Sequence, residues 1–289
     1  MPAFQTFTQQ DTSITNATHA DQRAISHFLS NCSRIHHHLD WLSTSEWIGK
    51  QPFLLEKHQQ QIEAILLATP EVPEVAWIRL FGIRDLELLK PTWEQMLHKA
   101  ITILNPLRAK TLAALGTNEV FSSLLIGSGF RHTNDVVILE NNNPAELPVY
   151  TSAQIEIRQM CVNDLPEVTH LDQSTFAPIW QNSLDSLKKA YQLKEVATVA
   201  VNQQQIVGYQ ISTVFSKHSH LARLAVHPDH QGQKIASLLV NDLFMRLTEK
   251  HICQATVNTQ ADNHPSLAVY FKFGFQKTGK VIPVYQYDL

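Results

Sequence analysis

Cysteine, glycine and charge are all scarce in this chain. Three cysteines in 289 residues, Cys32, Cys161 and Cys253, stand far apart and form no C-x-x-C pair. That excludes a disulfide scaffold and a cysteine-built zinc site, and it points to reduced thiols in a cytoplasmic protein. Charged residues make up 17 %, with 23 basic against 26 acidic side chains and a net charge of −3, so there is no basic excess for a broad nucleic-acid surface. No run of 18 or more apolar residues exists, so no membrane span is expected. The opening MPAFQTFTQQ has neither a basic start nor an apolar core, so no signal peptide is expected. What is present is 44 % hydrophobic residues, enough for a sizeable core, in a length that suits one or two domains. The fifteen histidines are many for this length, and no pattern accounts for the total.

One stretch organises the rest: Leu221–Ser237, LARLAVHPDHQGQKIAS. Its apolar run Leu221 to Val226 reads as a buried strand, and His227-Pro228-Asp229 as a turn. Gln231-Gly232-Gln233-Lys234-Ile235-Ala236 then leads into a helix in which Ile235, Leu238, Leu239, Leu243 and Leu247 recur at 3- and 4-residue spacing. Strand, polar loop and helix N-terminus present free backbone N–H groups and the positive end of a helix dipole, which suits a phosphate. Downstream, Ala255–Thr259 reads as a strand, Asn263-His264-Pro265-Ser266 as a helix start with proline just inside it, and Gly274 as that helix's end.

Both stretches resemble a known family. Val226-His227-Pro228 followed by Gln231 to Ala236 is similar to the acyl-CoA loop of the GCN5-related N-acetyltransferases, with Lys234 standing where that family has glycine. Asn263, Ser266, Tyr270, Gly274 and Phe275 resemble, in register, the same family's Asn-x-x-Ala/Ser-x-x-Leu-Tyr-x-x-x-Gly-Phe signature. The resemblance implies an acetyl-CoA-binding domain over residues 151–289.

The first half repeats the order of the second. Thr92–Leu104 and Asn118–Ile126 read as helices, and Glu74–Phe81, Thr111–Leu115 and Val136–Glu140 as strands. Gly129-Phe130 parallels Gly274-Phe275 at an offset of 274 − 129 = 145 residues. The expected fold is therefore α/β: two tandem copies, each a mixed, mostly antiparallel sheet flanked by helices, with a layout similar to mycothiol synthase. Residues 1–20 read as a loosely held tail, and Asn141–Pro148 as the linker between a domain over 1–145 and one over 151–289. Opposite the loop 231–236, the first copy has Leu86-Glu87-Leu88-Leu89-Lys90-Pro91, without glycine. The first copy is expected to be a non-catalytic scaffold.

Transfer of an acyl group from a thioester to an amine needs a held pyrophosphate, a neutral amine, a stabilised oxyanion and a proton for the departing thiolate. The resemblance implies that Leu224, Ala225, Val226, Gln231, Gly232, Gln233, Lys234, Ile235, Ala236, Ser237, Asn263 and Ser266 hold the cofactor. It implies that Tyr270 supplies the proton, and that a backbone N–H near Leu224–Val226 meets the oxyanion where the strand splays from its neighbour. It places Phe176 and Trp180 in the loop over the acceptor. No strand facing the site carries a carboxylate base: Leu221–Val226 offers only Arg223, and Ala255–Thr259 only Asn258 and Thr259. His218, His220 and His227 read as surface histidines. Without a carboxylate base the chemistry leans toward a weakly basic amine: a peptide N-terminus, an amino acid or an amino sugar. His36-His37-His38 with Cys32 and Asp40 could set at most two ligands on one side of a helix, so no metal is expected. The alternative function is an acyl-CoA-binding or regulatory pseudoenzyme that acts through a protein partner.

Overall fold

The computed structural model describes residues 12–142 and 150–289. The start of the expected tail and most of the expected linker, residues 143–148, lie outside the described residues. The chain divides into two compact units, Met1–Thr133 with Val284–Leu289, and Asn134–Pro283.

The first unit carries β1 (Thr12–Asn16), α1 (Gln22–Asn31), β2 (Ser33–His37), β3 (Phe53–His58), β4 (Gln61–Leu67), β5 (Pro70–Val72), β6 (Val75–Trp77), β7 (Leu80–Ile83), α2 (Leu89–Leu104), β8 (Thr111–Leu115) and α3 (Glu119–Gly127). Strands β1-β3-β4-β7-β2 form one antiparallel sheet. Strand β8 runs parallel to β6 and antiparallel to Val284–Asp288. The core gathers the inward residues of α2 (Trp93, Met96, Leu97, Ala100, Leu104) against Phe81, Leu112 and Phe121. Two expectations fail here. Residues 12–16 are a paired strand rather than a loose tail, with Asn16 opposite Leu54. His36-His37, read above as helical, lie on β2, because α1 stops at Asn31. A strand turns successive side chains to opposite faces. His36 is therefore buried and stacked on Phe121 (ring centroids 4.2 Å apart), while His37 is exposed.

The second unit carries β9 (Arg131–Asn141), β10 (Glu156–Gln159), α4 (Leu165–Thr175), α5 (Leu184–Leu193), β11 (Val196–Asn202), β12 (Gln205–Phe215), β13 (His218–Val226), α6 (Ile235–Glu249), β14 (Gln254–Gln260), α7 (His264–Lys272) and the first part of β15 (Gln276–Asp288). Strands β10-β11-β12-β13 are antiparallel, β13 and β14 are parallel, and β14 pairs antiparallel with β9 (Val257 opposite Leu139). That pairing draws Asn134–Asn141 into this unit, so the division falls earlier in the chain than the proline-bearing segment suggests. Phe244, Leu247, Tyr270, Phe273 and Phe275 fill the core under α6 and α7. Glycine scarcity shows in the turns. The tight hairpins at Gln59-Gln60, Gln203-Gln204 and Ser216-Lys217 reach positive φ without any glycine.

Candidate active site

The site begins where two strands part. Strands β13 and β14 pair from His218 opposite Gln254 to Leu221 opposite Val257 and no further, although both continue. The register of β13 against β12 shifts at the same point: Ser212 faces Leu221 and Ile211 faces Arg223, leaving Ala222 as an extra residue. Such a bulge bends its strand and sharpens its twist, which opens the gap from β14. Beyond it, His227 N–H bonds to Val207 O on the β12 side at 2.9 Å. By strand alternation the N–H groups of Leu224 and Val226 therefore point away from β12, into the gap.

The loop after β13 folds back on the strand. Gln231 donates its Nε2 to Val226 O (3.1 Å), so its side chain fastens the loop. Gly232 has φ +76° and open space where a Cβ would stand. Lys234 caps α6 in the left-handed region (φ 63°, ψ 14°). The conformation that glycine would adopt freely is thus kept despite the side chain, at a cost of about 1 kcal/mol. Leu238 N–H is the first to bond back, to Lys234 O at 3.0 Å. The N–H groups of Ile235, Ala236 and Ser237 therefore have no acceptor within the helix and form an anion-facing cluster.

These groups line one cavity of about 490 Å³. Leu224, Ala225, Val226, Gln231, Gly232, Lys234, Ile235, Ala236, Ser237, Asn263, Ser266 and Phe176 all contribute to its wall, whereas Gln233, Tyr270 and Trp180 do not. Asn263 is the N-cap of α7: its Oδ1 accepts from Ser266 N–H (3.2 Å) and its Nδ2 donates to Gln260 Oε1 (3.2 Å), so its amide is engaged at both ends. Tyr270 is buried, with its ring edge on Phe275. Burial pushes its phenol well above the ordinary value, an effect the nearby Arg223 charge and the Ser266 side chain oppose. Ser266, one helical turn earlier on α7, is on the cavity wall.

Sequence reasoning missed Lys272. It lines the cavity from the last turn of α7 and lies 4.5 Å over the ring of Tyr150. Helical spacing was the available signal, since Pro265, Val269 and Lys272 fall at i, i+4 and i+7. Lys234 and Lys272 make the wall basic, and no Asp or Glu is on it. His220, weighed as a base, is half-buried with Nδ1 2.9 Å from Thr256 Oγ1, and partial burial lowers its pKa. His218 and His227 are tied to their own turns, at Ser216 O (3.0 Å) and Asp229 N–H (3.3 Å). His230, not singled out by the sequence, lines the cavity.

Also unforeseen was a buried ionic cluster beside the strand gap. Asp172 on α4 accepts from Tyr209 Oη, from Arg223 Nε (2.7 Å) and from Asn182 N–H (2.9 Å). Asp172 and Tyr209 are fully buried. Removing one member of such a cluster strands the others, at about 3–5 kcal/mol.

The corresponding place in the first unit is built differently. Residues 86–88 form a 3-10 turn running straight into α2, and Asp85 accepts from Glu87 N–H (2.9 Å). A carboxylate already occupies one of the donors that a phosphate would need.

Comparison with known proteins agrees with this architecture. Residues 165–275 match the model of the acetyltransferase (GNAT) family. The matched residues lie within the second unit. The chain is 23 % identical over 125 residues to a putative [ribosomal protein bS18]-alanine N-acetyltransferase of Bacillus subtilis, covering 43 % of this chain and 82 % of that one. The chain's fold is similar to that of solved structures covering almost its whole length. It superposes on a tandem GNAT protein from the clavulanic acid biosynthesis pathway with a TM-score of 0.65 at 12 % identity, over 96 % of this chain and 98 % of the other. For a GCN5-related N-acetyltransferase from Sphaerobacter thermophilus the TM-score is 0.62 at 14 % identity, over 96 % and 95 %. Among the described residues no helix is long and apolar enough to cross a membrane, and no three His, Cys, Asp or Glu gather as a metal set.

Proposed function

We propose that the second unit transfers an acetyl group from acetyl-CoA directly to a primary amine, and that the first unit is a non-catalytic scaffold. The observation that carries this is the strand gap closed by the α6 N-terminus, with unpaired N–H groups, two lysines and no carboxylate on one wall. Those features fit a polyphosphate cofactor. Gly232 and the N–H groups of Ile235 to Ser237 would hold its pyrophosphate, with Lys234 and Lys272 adding charge. Acetyl-CoA supplies the activated thioester. Leu224 and Val226 N–H, aimed into the gap, stabilise negative charge on an acyl oxygen placed there. Tyr270 keeps its proton at neutral pH because burial raises its phenol.

The acceptor follows from the missing base. At pH 7.5 an α-amine of pKa about 7.8 is roughly one-third neutral, whereas a lysine amine of about 10.4 is neutral on the order of 0.1 % of the time. With no carboxylate on the wall, an α-amine suits the site, and the name of the Bacillus relative favours a peptide N-terminus that begins with alanine. The test is release of CoA thiol with an alanine-starting tetrapeptide against the same peptide N-terminally blocked and carrying a lysine. Turnover is expected with the free α-amine, and Tyr270→Phe should lower kcat about 10²-fold while leaving cofactor affinity unchanged. Faster acetylation of the lysine would overturn the acceptor assignment. Cofactor binding without any turnover would favour a regulatory acyl-CoA-binding module.

A further inference from the structure

We propose that Arg223 is a positioning residue: it latches the strap of residues 176–182 beside the strand gap and so sets affinity for the acceptor rather than for the cofactor. The proposal rests on the acetyltransfer reading above.

The latch is built from four contacts on one guanidinium. Nε donates to Asp172 Oδ2 at 2.7 Å, and Nη2 lies 2.6 Å from the same carboxylate. Nη2 also donates to Trp180 O at 2.6 Å, in the middle of the strap. The flat face of the group lies 3.7 Å from the ring of Phe176, at the strap's start. Asp172 completes the arrangement by accepting from Asn182 N–H, at the strap's end. The strap also closes on itself, since Gln181 Nε2 donates to Gln173 O and Phe176 O at 2.8 and 2.9 Å.

Charge does not explain the cluster. Asp172 neutralises Arg223, so neither is left to attract a charged substrate. Its effect is geometric. Arg223 stands one residue past the Ala222 bulge, where β13 leaves β14, so the latch ties the strap to the bend that opens the gap. Phe176 is a wall residue of the cavity, and the guanidinium under one ring face fixes the plane of the other. Only a planar fork can serve a carboxylate, a carbonyl and a ring together; a lysine ammonium keeps the charge but not these directions.

The test is Arg223→Lys, chosen because it preserves the positive charge near Tyr270. Three readouts are taken on the full chain: amide hydrogen exchange over residues 176–182, KM for the alanine-starting tetrapeptide, and calorimetric Kd for acetyl-CoA. Exchange in the strap should quicken, and KM should rise roughly ten- to hundredfold, the loss that follows from one charge-assisted hydrogen bond. Kd should stay within about twofold, since the anion-facing N–H groups of α6 are untouched. Phe176→Leu keeps the ion pair and removes the ring. Combined with Arg223→Lys it should give a non-additive rise in KM, because the two act through one contact. Unchanged strap exchange would overturn the latch, as would KM and Kd rising together. If the wild type turns over no amine while strap exchange quickens in the variant, the acetyltransfer reading fails and the latch stands.

Discussion

Lys234 is the residue at which strain and cofactor affinity pull apart. It occupies the left-handed region at φ 63° at the head of α6, on the cavity wall. An L-residue there costs roughly 1–2 kcal/mol, and glycine removes that cost. Glycine also raises the entropy of the unfolded chain by about 0.5–1 kcal/mol, which offsets part of the gain. Lys234→Gly should therefore stabilise the second unit by about 0.5–1 kcal/mol, a rise in Tm of roughly 2–3 °C for a unit of this size. Its exposed ammonium contributes at most about 1 kcal/mol to holding a phosphate, so acetyl-CoA affinity should fall two- to fivefold and lose part of its salt dependence. Differential scanning calorimetry and titration at two salt concentrations read both effects. A lower Tm would mean that the backbone at 234 is not left-handed. Tenfold tighter binding would mean that the lysine obstructs the loop rather than supporting it.

Two further outcomes follow from buried groups. His36 accepts from Thr117 at Nδ1 (3.0 Å) and donates from Nε2 to Ile78 O (2.9 Å), and burial lowers its pKa to about 3. Its folded pKa lies below its unfolded one, so the stability present above about pH 6.5 is lost as pH falls toward 3. That loss is about 1.4 kcal/mol per pH unit, or 2–3 kcal/mol by pH 4.5. Denaturant titration of wild type and His36→Phe at pH 7 and 4.5 should show the smaller pH-dependent loss in the variant; equal losses would refute the assignment. Gly208 on β12 leaves little room for a Cβ, which would meet Ala225 O and Ile235 Cγ2 at 3.1 Å and Leu239 Cδ1 at 3.2 Å. Gly208→Ala should cost about 1–3 kcal/mol and weaken acetyl-CoA binding by prising α6 from the strand that carries the loop. A neutral effect on both Tm and Kd would contradict the tight packing.

Much of the site was legible because it is local in sequence. Strand, loop and helix from Leu221 to Ser237 are contiguous, and Asn263 with Pro265 marks the α7 start, so residue type and spacing place the cavity wall. What depends on distant partners was not legible. Asp172, Tyr209 and Arg223 look like an ordinary helix aspartate, a strand tyrosine and a strand arginine until α4, β12 and β13 bring them together. Tyr270 matches a signature in register, but helix rotation buries its ring against Phe275 and leaves Ser266 on the wall. The His36-His37 pair misled because its strand depends on the distant partner β7, which local spacing does not show. The strand Val136–Asn141 likewise depends on a distant partner, since its pairing with β14 decides where it belongs.

The most direct test of the central claim is calorimetric titration of acetyl-CoA into the full chain, beside Gly232→Val. Residue 232 has φ +76°, a region a β-branched side chain avoids, so the variant must rebuild the loop while leaving the core of the second unit in place. The account predicts one cofactor bound per chain by the wild type and at least about tenfold weaker binding by the variant. Absence of binding to the wild type, or equal affinity in the two proteins, would contradict the assignment of the cofactor to this cavity.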